Sequence, residues 1–368
     1  MQRKRLPRNG TMSARDIAYS PKTRDATSAK AGAIVDRWRD PLKWDPMPFL
    51  LGSEFAAVRY FARRDLSGED AGPIDAIWRL PEARRILRKQ LPDGSWPRAG
   101  AVSHPAINYG LIETWRRFRY LIQEFGFTRE HPAAERAAEF LFSCQTRDGD
   151  FRGFLADQYA TYYTGAIMAL LVQAGYGDDP RMDSGFEWLL SMRQEDGGWT
   201  VPILTYKLDR ATQYRLTSDH AQPLEPDRSK PFSHNCTGMA IRAFAAHPVR
   251  RRSDAALAAA SLLKSRFFRQ DSYTSYRSAD YWVRFDYPFW WNDLVAAMDS
   301  LSSMGLSARD AQMKSALDWF VDNQEPDGSW RLSYAGPRAG ESATAKSRET
   351  KAWVTLAICR IFMRLFGT

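Results

Sequence analysis

A dense run of acidic and aromatic side chains occupies residues 284–293, the segment best suited to acid chemistry. Within this run, Asp286 is followed by Tyr287, Trp290 and Trp291. A desolvated carboxyl group has a raised pKa and can act as a general acid, and nearby aromatic faces can stabilise a carbocation. Alternatively, the carboxylate caps a helix or pairs with a nearby arginine, and the rings only pack. The segment predicts an acid at Asp286, with the three aromatic residues as ligand-binding walls.

A second polar group contains His234 and Cys236, two residues apart. Together with Asp286 they could offer zinc the nitrogen, sulfur and oxygen ligands that it accepts. Residues spaced by two at the start of a helix do not share a face, so a zinc site would require an irregular backbone. No cofactor is expected, with zinc or magnesium as the alternative. We predict a catalytic role for His234 and a substrate-binding role for Cys236.

Three further candidates for substrate binding are His104, Tyr162 and Tyr163. All three lie near the start of an apolar, helix-like segment. Positive helix ends that converge on one rim would favour an anion such as diphosphate or carboxylate. For His104 the alternative is a structural, hydrogen-bonded histidine.

A short motif recurs four times and predicts the elements that position these residues. Each copy has a Gln, an Asp-Gly pair and then an aromatic residue. The Asp-Gly pair suits a tight turn, and the glutamine amide can satisfy backbone groups at helix ends. A regular motif indicates a repeat architecture, and a fifth, eroded copy is expected near Gln270. The copies are Gln90…Trp96, Gln145…Phe151, Gln194…Trp199 and Gln324…Trp330.

Each motif follows an amphipathic helix and precedes a more apolar one. The segments 132–144, 180–193 and 310–323 have one apolar face, typical of outer helices. The segments that begin near residues 53, 109, 163, 236, 293 and 353 are apolar on more sides. Without convincing strands, this alternation predicts an all-α double ring of five to six helical hairpins.

Through these Gln…Asp-Gly-x-Trp sets, the chain resembles the terpenoid cyclase and protein prenyltransferase superfamily over about residues 45–366. The resemblance implies an (α/α) toroid around a deep apolar cavity, and it looks most like an uncharacterised, single-domain bacterial branch. Relatives cyclise polyprenyl chains through carbocations or prenylate cysteines with zinc. The chain lacks the Asp-x-Asp-Asp acid motif and the Asp-x-Cys zinc pair of such relatives.

Charge and composition bear on the domain organisation, location and partners of the protein. Residues 1–30 hold most of the net charge of +9 and lack apolar periodicity, which predicts a disordered basic tail that could touch an anionic membrane. Residues 31–368 are expected to form one domain, with 200–231 as a long insert and possible lid. Three scattered cysteines fit a cytoplasmic protein. No nucleic-acid module is recognisable, so nucleic acid is not an expected partner.

The sequence thus predicts a terpenoid-cyclase-like protein that acts on or binds a hydrophobic isoprenoid ligand, by acid-initiated carbocation chemistry if it is an enzyme. Whether it is an enzyme stays open at this stage. One alternative is a non-catalytic toroid that serves as a binding or scaffold protein. Another is a carbohydrate-active α/α-toroid enzyme with paired carboxylates.

Overall fold

The computed structural model describes residues 37–100, 103–273, 277–336 and 344–367. The predicted basic tail, residues 1–30, lies outside these ranges. Among the residues described, no helix combines the length and hydrophobicity that crossing a membrane requires.

Within these ranges the secondary structure is helical, and only isolated β-bridges occur beside the helices. The all-α prediction is confirmed. The α-helices are α1 (Met47–Leu51), α2 (Ala56–Ala62), α3 (Asp75–Trp78), α4 (Pro81–Leu87), α5 (Tyr109–Gln123), α6 (Pro132–Ser143), α7 (Thr161–Leu171), α8 (Pro180–Ser191), α9 (Arg210–Leu216), α10 (His234–Ala246), α11 (Asp254–Lys264), α12 (Leu294–Ser303), α13 (Ala311–Asp322) and α14 (Ala345–Phe366).

Two kinds of helix alternate along the chain, as the apolar pattern predicts. Helices α2, α5, α7, α10, α12 and α14 form the inner layer; α10 is buried from His234 to Ala245. Helices α4, α6, α8, α11 and α13 bury one face only. Helix α7 packs on α5 and α10, α12 packs on α10 and α14, and α14 packs on α1 and α2. The helices therefore form the expected α/α toroid.

The repeated motif joins each hairpin to the next inner helix. In every copy, the backbone N–H of the aromatic residue donates to the hydroxyl of a buried threonine in that helix. These threonines are Thr114, Thr164, Thr237 and Thr355. Where the aromatic residue is Trp, its indole N–H also donates to the preceding outer helix, as Trp330 does to the carbonyl of Phe320 at 2.8 Å. The motif is a structural tie between helices.

Glycine is required in the motif because the next hairpin packs directly on it. Gly149 has a φ of 106°, and a Cβ atom there would lie 2.3 Å from the carbonyl oxygen of Ser184. Gly328 has a φ of 82°, and its Cβ would lie 2.5 Å from the carbonyl oxygen of Asp45. Both positions combine a left-handed conformation with close backbone contact.

The ring is closed by the last copy of the motif. The Gln324 amide donates to the carbonyl of Trp44 at 2.8 Å, and its oxygen accepts from the N–H of Trp44 at 3.0 Å. The side-chain amides of Gln90 and Gln145 donate in the same way to carbonyls of the next outer helix, those of Ala133 and Arg181. The segment around Trp44 thus takes the place of a following hairpin.

We expect Gln324→Met to destabilise the fold by about 2–3 kcal/mol, because it removes the partners of buried backbone groups. The free energy of unfolding in urea measures this effect. The control is Gln312→Met, on the exposed face of α13, which should change stability by less than about 0.5 kcal/mol. Equal losses in the two variants would contradict the closing role of Gln324.

The insert 200–231 contains a 3-10 turn, Pro202–Thr205, and the short helix α9. No residue of α9 is buried. The amide of Gln194 donates to the carbonyls of Asp227 and Lys230, at 2.8 and 2.9 Å, instead of to an outer helix. The third motif therefore holds the C-terminal end of the insert in place through hydrogen bonds.

Candidate functional site

The predicted acid segment forms a strap that crosses the inside of the ring. This central strap, residues 285–292, enters before α12 and is held from α10. The buried guanidinium of Arg242 donates to the carbonyls of Phe289 and Trp290, at 3.3 and 3.0 Å, and to that of Trp291. Burial lowers the pKa of Arg242 to about 10, although the Asp293 carboxylate opposes that shift.

The strap also reaches the end of α5. The phenol of Tyr287 donates to the carbonyl of Gln123 at 2.9 Å, and the Gln123 amide oxygen accepts the N–H of Phe289 at 2.9 Å. The strap is therefore tied to two inner helices, α5 and α10.

The aromatic residues predicted as cavity walls meet around this strap. Their ring-centroid distances are 5.0 Å for Trp290 on Trp115, 5.8 Å for Trp291 on Tyr162, 3.8 Å for Tyr163 on Phe154 and 5.3 Å for Tyr287 on Trp353. The structure thus brings Tyr162, Tyr163, Tyr287, Trp290 and Trp291 into one region. They occupy much of the centre of the ring themselves.

Open space lies beside the strap. A depression of ≈ 590 Å³, here called the basic depression, is bordered by Lys89, Trp96, Arg117, Tyr120 and Trp290. A cavity of ≈ 590 Å³ lies among the carboxyl ends of inner helices, and a space of ≈ 50 Å³ adjoins both. The small space shares Arg119 with the basic depression and Gln123 and Phe289 with the cavity.

Asp286 stands at the start of the strap, with a solvent-exposed side chain. Its carboxylate accepts the N–H of Tyr287 at 2.9 Å. The surrounding protein raises the pKa of Asp286 above its ordinary value by desolvation, which outweighs the opposing charges of Arg119 and Lys346. The direction of this shift fits the predicted acid.

Glu124 is a buried carboxyl group near the same site that the sequence did not reveal. It is 3% exposed and lies 3.4 Å from the ammonium of Lys346. Desolvation raises the pKa of Glu124 to about 8, against the lowering effect of Lys346. Desolvation prevails because the lysine is half exposed and the glutamate is buried. Glu124 closes an amphipathic helix, where glutamate is usually a surface residue, so no sequence signal distinguishes it.

The side chain of His234 faces Asp271 and Trp282. Its Nε2 lies 3.9 Å from the Asp271 carboxylate, and its ring lies 4.7 Å from that of Trp282. The same carboxylate accepts hydrogen bonds from Ser233 and Asn235. Burial lowers the pKa of His234 to about 4, although the Asp271 charge opposes the shift. This environment suits a neutral structural histidine at the N-terminus of α10.

This burial predicts a loss of stability in acid. The folded-state pKa of His234 lies below its ordinary value of about 6.5, so the stabilising contribution is present above pH 6.5. It should fall by about 2–3 kcal/mol as the pH drops from 6.5 toward 4, because protonation then favours the unfolded chain. Urea unfolding across this range measures the effect. His234→Gln should flatten the profile between pH 6.5 and 4, and an unchanged slope would contradict the assignment.

Cys236 is fully enclosed, and burial raises its thiol pKa to about 12. It lies close to the Tyr162 phenol, whose pKa is also raised by burial. Across the described ranges, no three His, Cys, Asp or Glu residues form a group that could hold a metal ion. The structure therefore does not assemble His234, Cys236 and Asp286 into a zinc site.

His104 is half-buried and contacts the insert. Its Nε2 lies 3.3 Å from the phenol oxygen of Tyr214 in α9. A second contact joins His220 of the insert to Asp157 at 3.0 Å. The insert thus lies against the loops that lead into α5 and α7, the place where a lid would act.

Sequence comparison supports the resemblance carried by the repeated motif. Residues 107–223 match the model of the squalene-hopene cyclase C-terminal domain. The squalene–hopene cyclase of Bradyrhizobium diazoefficiens is 27% identical over 192 residues, which cover 50% of this chain and 26% of that protein. The probable squalene–hopene cyclase of Sinorhizobium fredii is 29% identical over 110 residues, 30% of this chain and 17% of that protein.

The resemblance of this chain to the terpenoid cyclase superfamily is thereby confirmed. The matched region spans about a quarter or less of the length of these curated relatives.

Solved structures of low similarity align with most of this chain. A protein from Actinoplanes has a TM-score of 0.42 at 16% identity, covering 91% of this chain and 99% of its own. The type II terpene cyclase MstE from Scytonema, in complex with geranylgeranyl dihydroxybenzoate, has a TM-score of 0.42 at 13% identity. The match covers 92% of this chain and 97% of the cyclase chain. A polysaccharide lyase has a TM-score of 0.43 at 11% identity, covering 90% and 97%. Similarity at this level does not select a function.

Proposed function

We propose that this toroid binds an isoprenoid chain against the aromatic residues of the central strap and starts its cyclisation or isomerisation by proton transfer from Asp286. The observation that carries the proposal is this carboxyl group with its raised pKa, in the same strap as Trp290; the charge of Arg119 acts on the carboxyl group, and the guanidinium of Arg119 lies 4.6 Å from the ring centroid of Trp290. The squalene-hopene cyclase match of residues 107–223 supports the same class of ligand.

The aromatic wall of the basic depression supports binding of an apolar chain. Trp290 is partly exposed and borders the depression together with Trp96 and Tyr120. Aromatic side chains gain both from apolar burial and from contact between their faces and a positive charge. A prenyl chain and a cation derived from it would therefore both be stabilised there.

Proton transfer from Asp286 would start the reaction. The carboxyl proton forms a C–H bond with one alkene carbon, and the electrons of the double bond supply that bond. The other carbon becomes cationic. Attack by a second double bond forms a C–C bond, and loss of a proton to water yields a neutral product. Solvent then reprotonates Asp286, which its exposed side chain permits.

Ligand binding is tested with geranylgeraniol, an uncharged prenyl alcohol. We expect saturable quenching of tryptophan fluorescence by geranylgeraniol and much weaker quenching by hexadecanol. Trp290→Ala should weaken the affinity about tenfold, whereas Trp44→Ala, which removes a half-exposed ring outside the site, serves as the control. Equal quenching by both alcohols, or none by either, would contradict the proposal.

A non-catalytic binding or scaffold protein is the second candidate, and the strap itself favours it. Hydrogen bonds donated by Arg242 to the strap, and by the strap to Gln123, hold the strap inside the ring, where it takes up space that a substrate would use. Mass spectrometry of molecules that co-purify with the protein separates the candidates. A cyclised isoprenoid product supports the first, whereas an unaltered isoprenoid, or a ligand-free protein that ignores geranylgeraniol, supports the second.

A further inference from the structure

We infer that the basic depression binds a phosphate-type polyanion, with Arg119 at its floor. The depression is bordered by Lys89, Arg98, Arg116, Arg117 and Arg119, against the single carboxylate of Glu113. This excess of positive charge in one concave region favours a ligand with two or more negative charges.

Arg119 is the observation that points to a ligand. It is 4% exposed, and its Nε and Nη1 atoms are buried without a hydrogen-bond partner. Burial lowers the pKa of Arg119, although nearby acidic groups, including Asp286, oppose that shift. A buried guanidinium with unsatisfied donors is costly, so an anion that enters the depression would offset a penalty already present in the folded chain.

The position of Arg119 is fixed before any ligand arrives. Its guanidinium carbon lies 5.0 Å from the ring centroid of Trp115 and 4.6 Å from that of Trp290. These rings restrict the side chain without satisfying its N–H groups. Since its guanidinium is already held in place, Arg119 should attract phosphate at a smaller entropic cost than a mobile arginine would.

The rim supplies additional, more mobile cations. Arg116 pairs with Glu113 at 2.7 Å, and Arg117 lies 3.7 Å from the same carboxylate. One carboxylate shared by two arginines leaves positive charge available at the mouth. Arg98 lies over the ring of Tyr109, with 3.7 Å between the guanidinium carbon and the ring centroid. The arrangement is a fixed cation at the floor surrounded by others at the rim.

Inorganic diphosphate is the probe, because it carries the charge without any prenyl chain. Calorimetric titration of the full chain at 0.15 M salt should show saturable binding. Arg119→Met should weaken it at least tenfold, and Arg117→Gln, on the partly exposed rim, should weaken it about threefold. Arg85→Gln makes the same charge change on the exposed surface of α4 and should alter affinity less than twofold.

Three results would overturn the assignment. They are no binding by the native chain at millimolar diphosphate, native affinity in both Arg119→Met and Arg117→Gln, or an equal loss in Arg85→Gln. The last would indicate attraction to overall charge. Because geranylgeraniol tests the aromatic wall of the basic depression and diphosphate tests its cations, either can fail without the other. The rim variant keeps the test valid if Arg119→Met does not fold.

Discussion

Replacing Asp286 by Asn should lower product formation by about 10²–10⁴-fold, because the amide cannot donate the carboxyl proton that starts the reaction. Geranylgeranyl diphosphate and squalene are suitable substrates, and mass spectrometry of the extracted products measures turnover. The side chain is exposed and makes one hydrogen bond, to the N–H of Tyr287. The amide oxygen can accept that bond, so the variant should keep its fold.

Asp280→Asn is the matched control for this result. Asp280 is an exposed carboxylate close in sequence, 3.9 Å from the Arg284 guanidinium, and its loss should leave turnover within about twofold of the native level. A folded, fully active Asp286→Asn protein would remove Asp286 as the acid. A native chain that converts neither substrate would favour the non-catalytic candidate.

The second large effect is expected from Arg242, which holds the strap in place. Arg242→Met keeps the apolar stem but leaves the carbonyls of Phe289, Trp290 and Trp291 without their donor. Each unsatisfied buried acceptor costs about 1–3 kcal/mol, so the loss should exceed about 3 kcal/mol in urea unfolding. Detachment of the strap should also shift tryptophan emission to longer wavelength as its indoles become hydrated.

Two controls separate the role of Arg242 from its charge. Arg252→Met removes an exposed arginine from the turn before α11 and should change stability by less than about 0.5 kcal/mol. Arg242→Lys keeps the charge but offers a different set of donors, so it should recover only part of the loss. Full recovery by lysine would show that the charge, rather than the three hydrogen bonds, positions the strap.

The sequence was sufficient to predict the helices and their ring because its signals are local. Asp-Gly turns and one-sided apolar patterns act within a few residues of each other, and the structure places inner helices where these patterns predict them. The eroded copy left a weaker signal. Near Gln270, the indole of Trp282 donates to the carbonyl of Arg269 at 3.0 Å, a bond like those of the intact motifs but without the Asp-Gly turn.

The site was less predictable because its groups meet only through the tertiary fold. Asp286 and the aromatic residues of the strap stood out by composition, yet their contact with Gln123 joins residues that are 164 and 166 positions apart. Arg119 and Glu124 belong to an amphipathic helix rich in charged residues, where burial of one particular charge leaves no trace in the pattern. His234 was conspicuous in sequence but contacts Asp271 and Trp282.

The bond between Gln324 and Trp44 affects how this protein unfolds. In an open solenoid, terminal repeats can fray one at a time, since each contacts only its neighbours. Here the two ends of the series support each other across 280 positions, so neither end is free to fray independently. Loss of one hairpin removes an anchor on both sides of it, and denaturation should be a single cooperative transition.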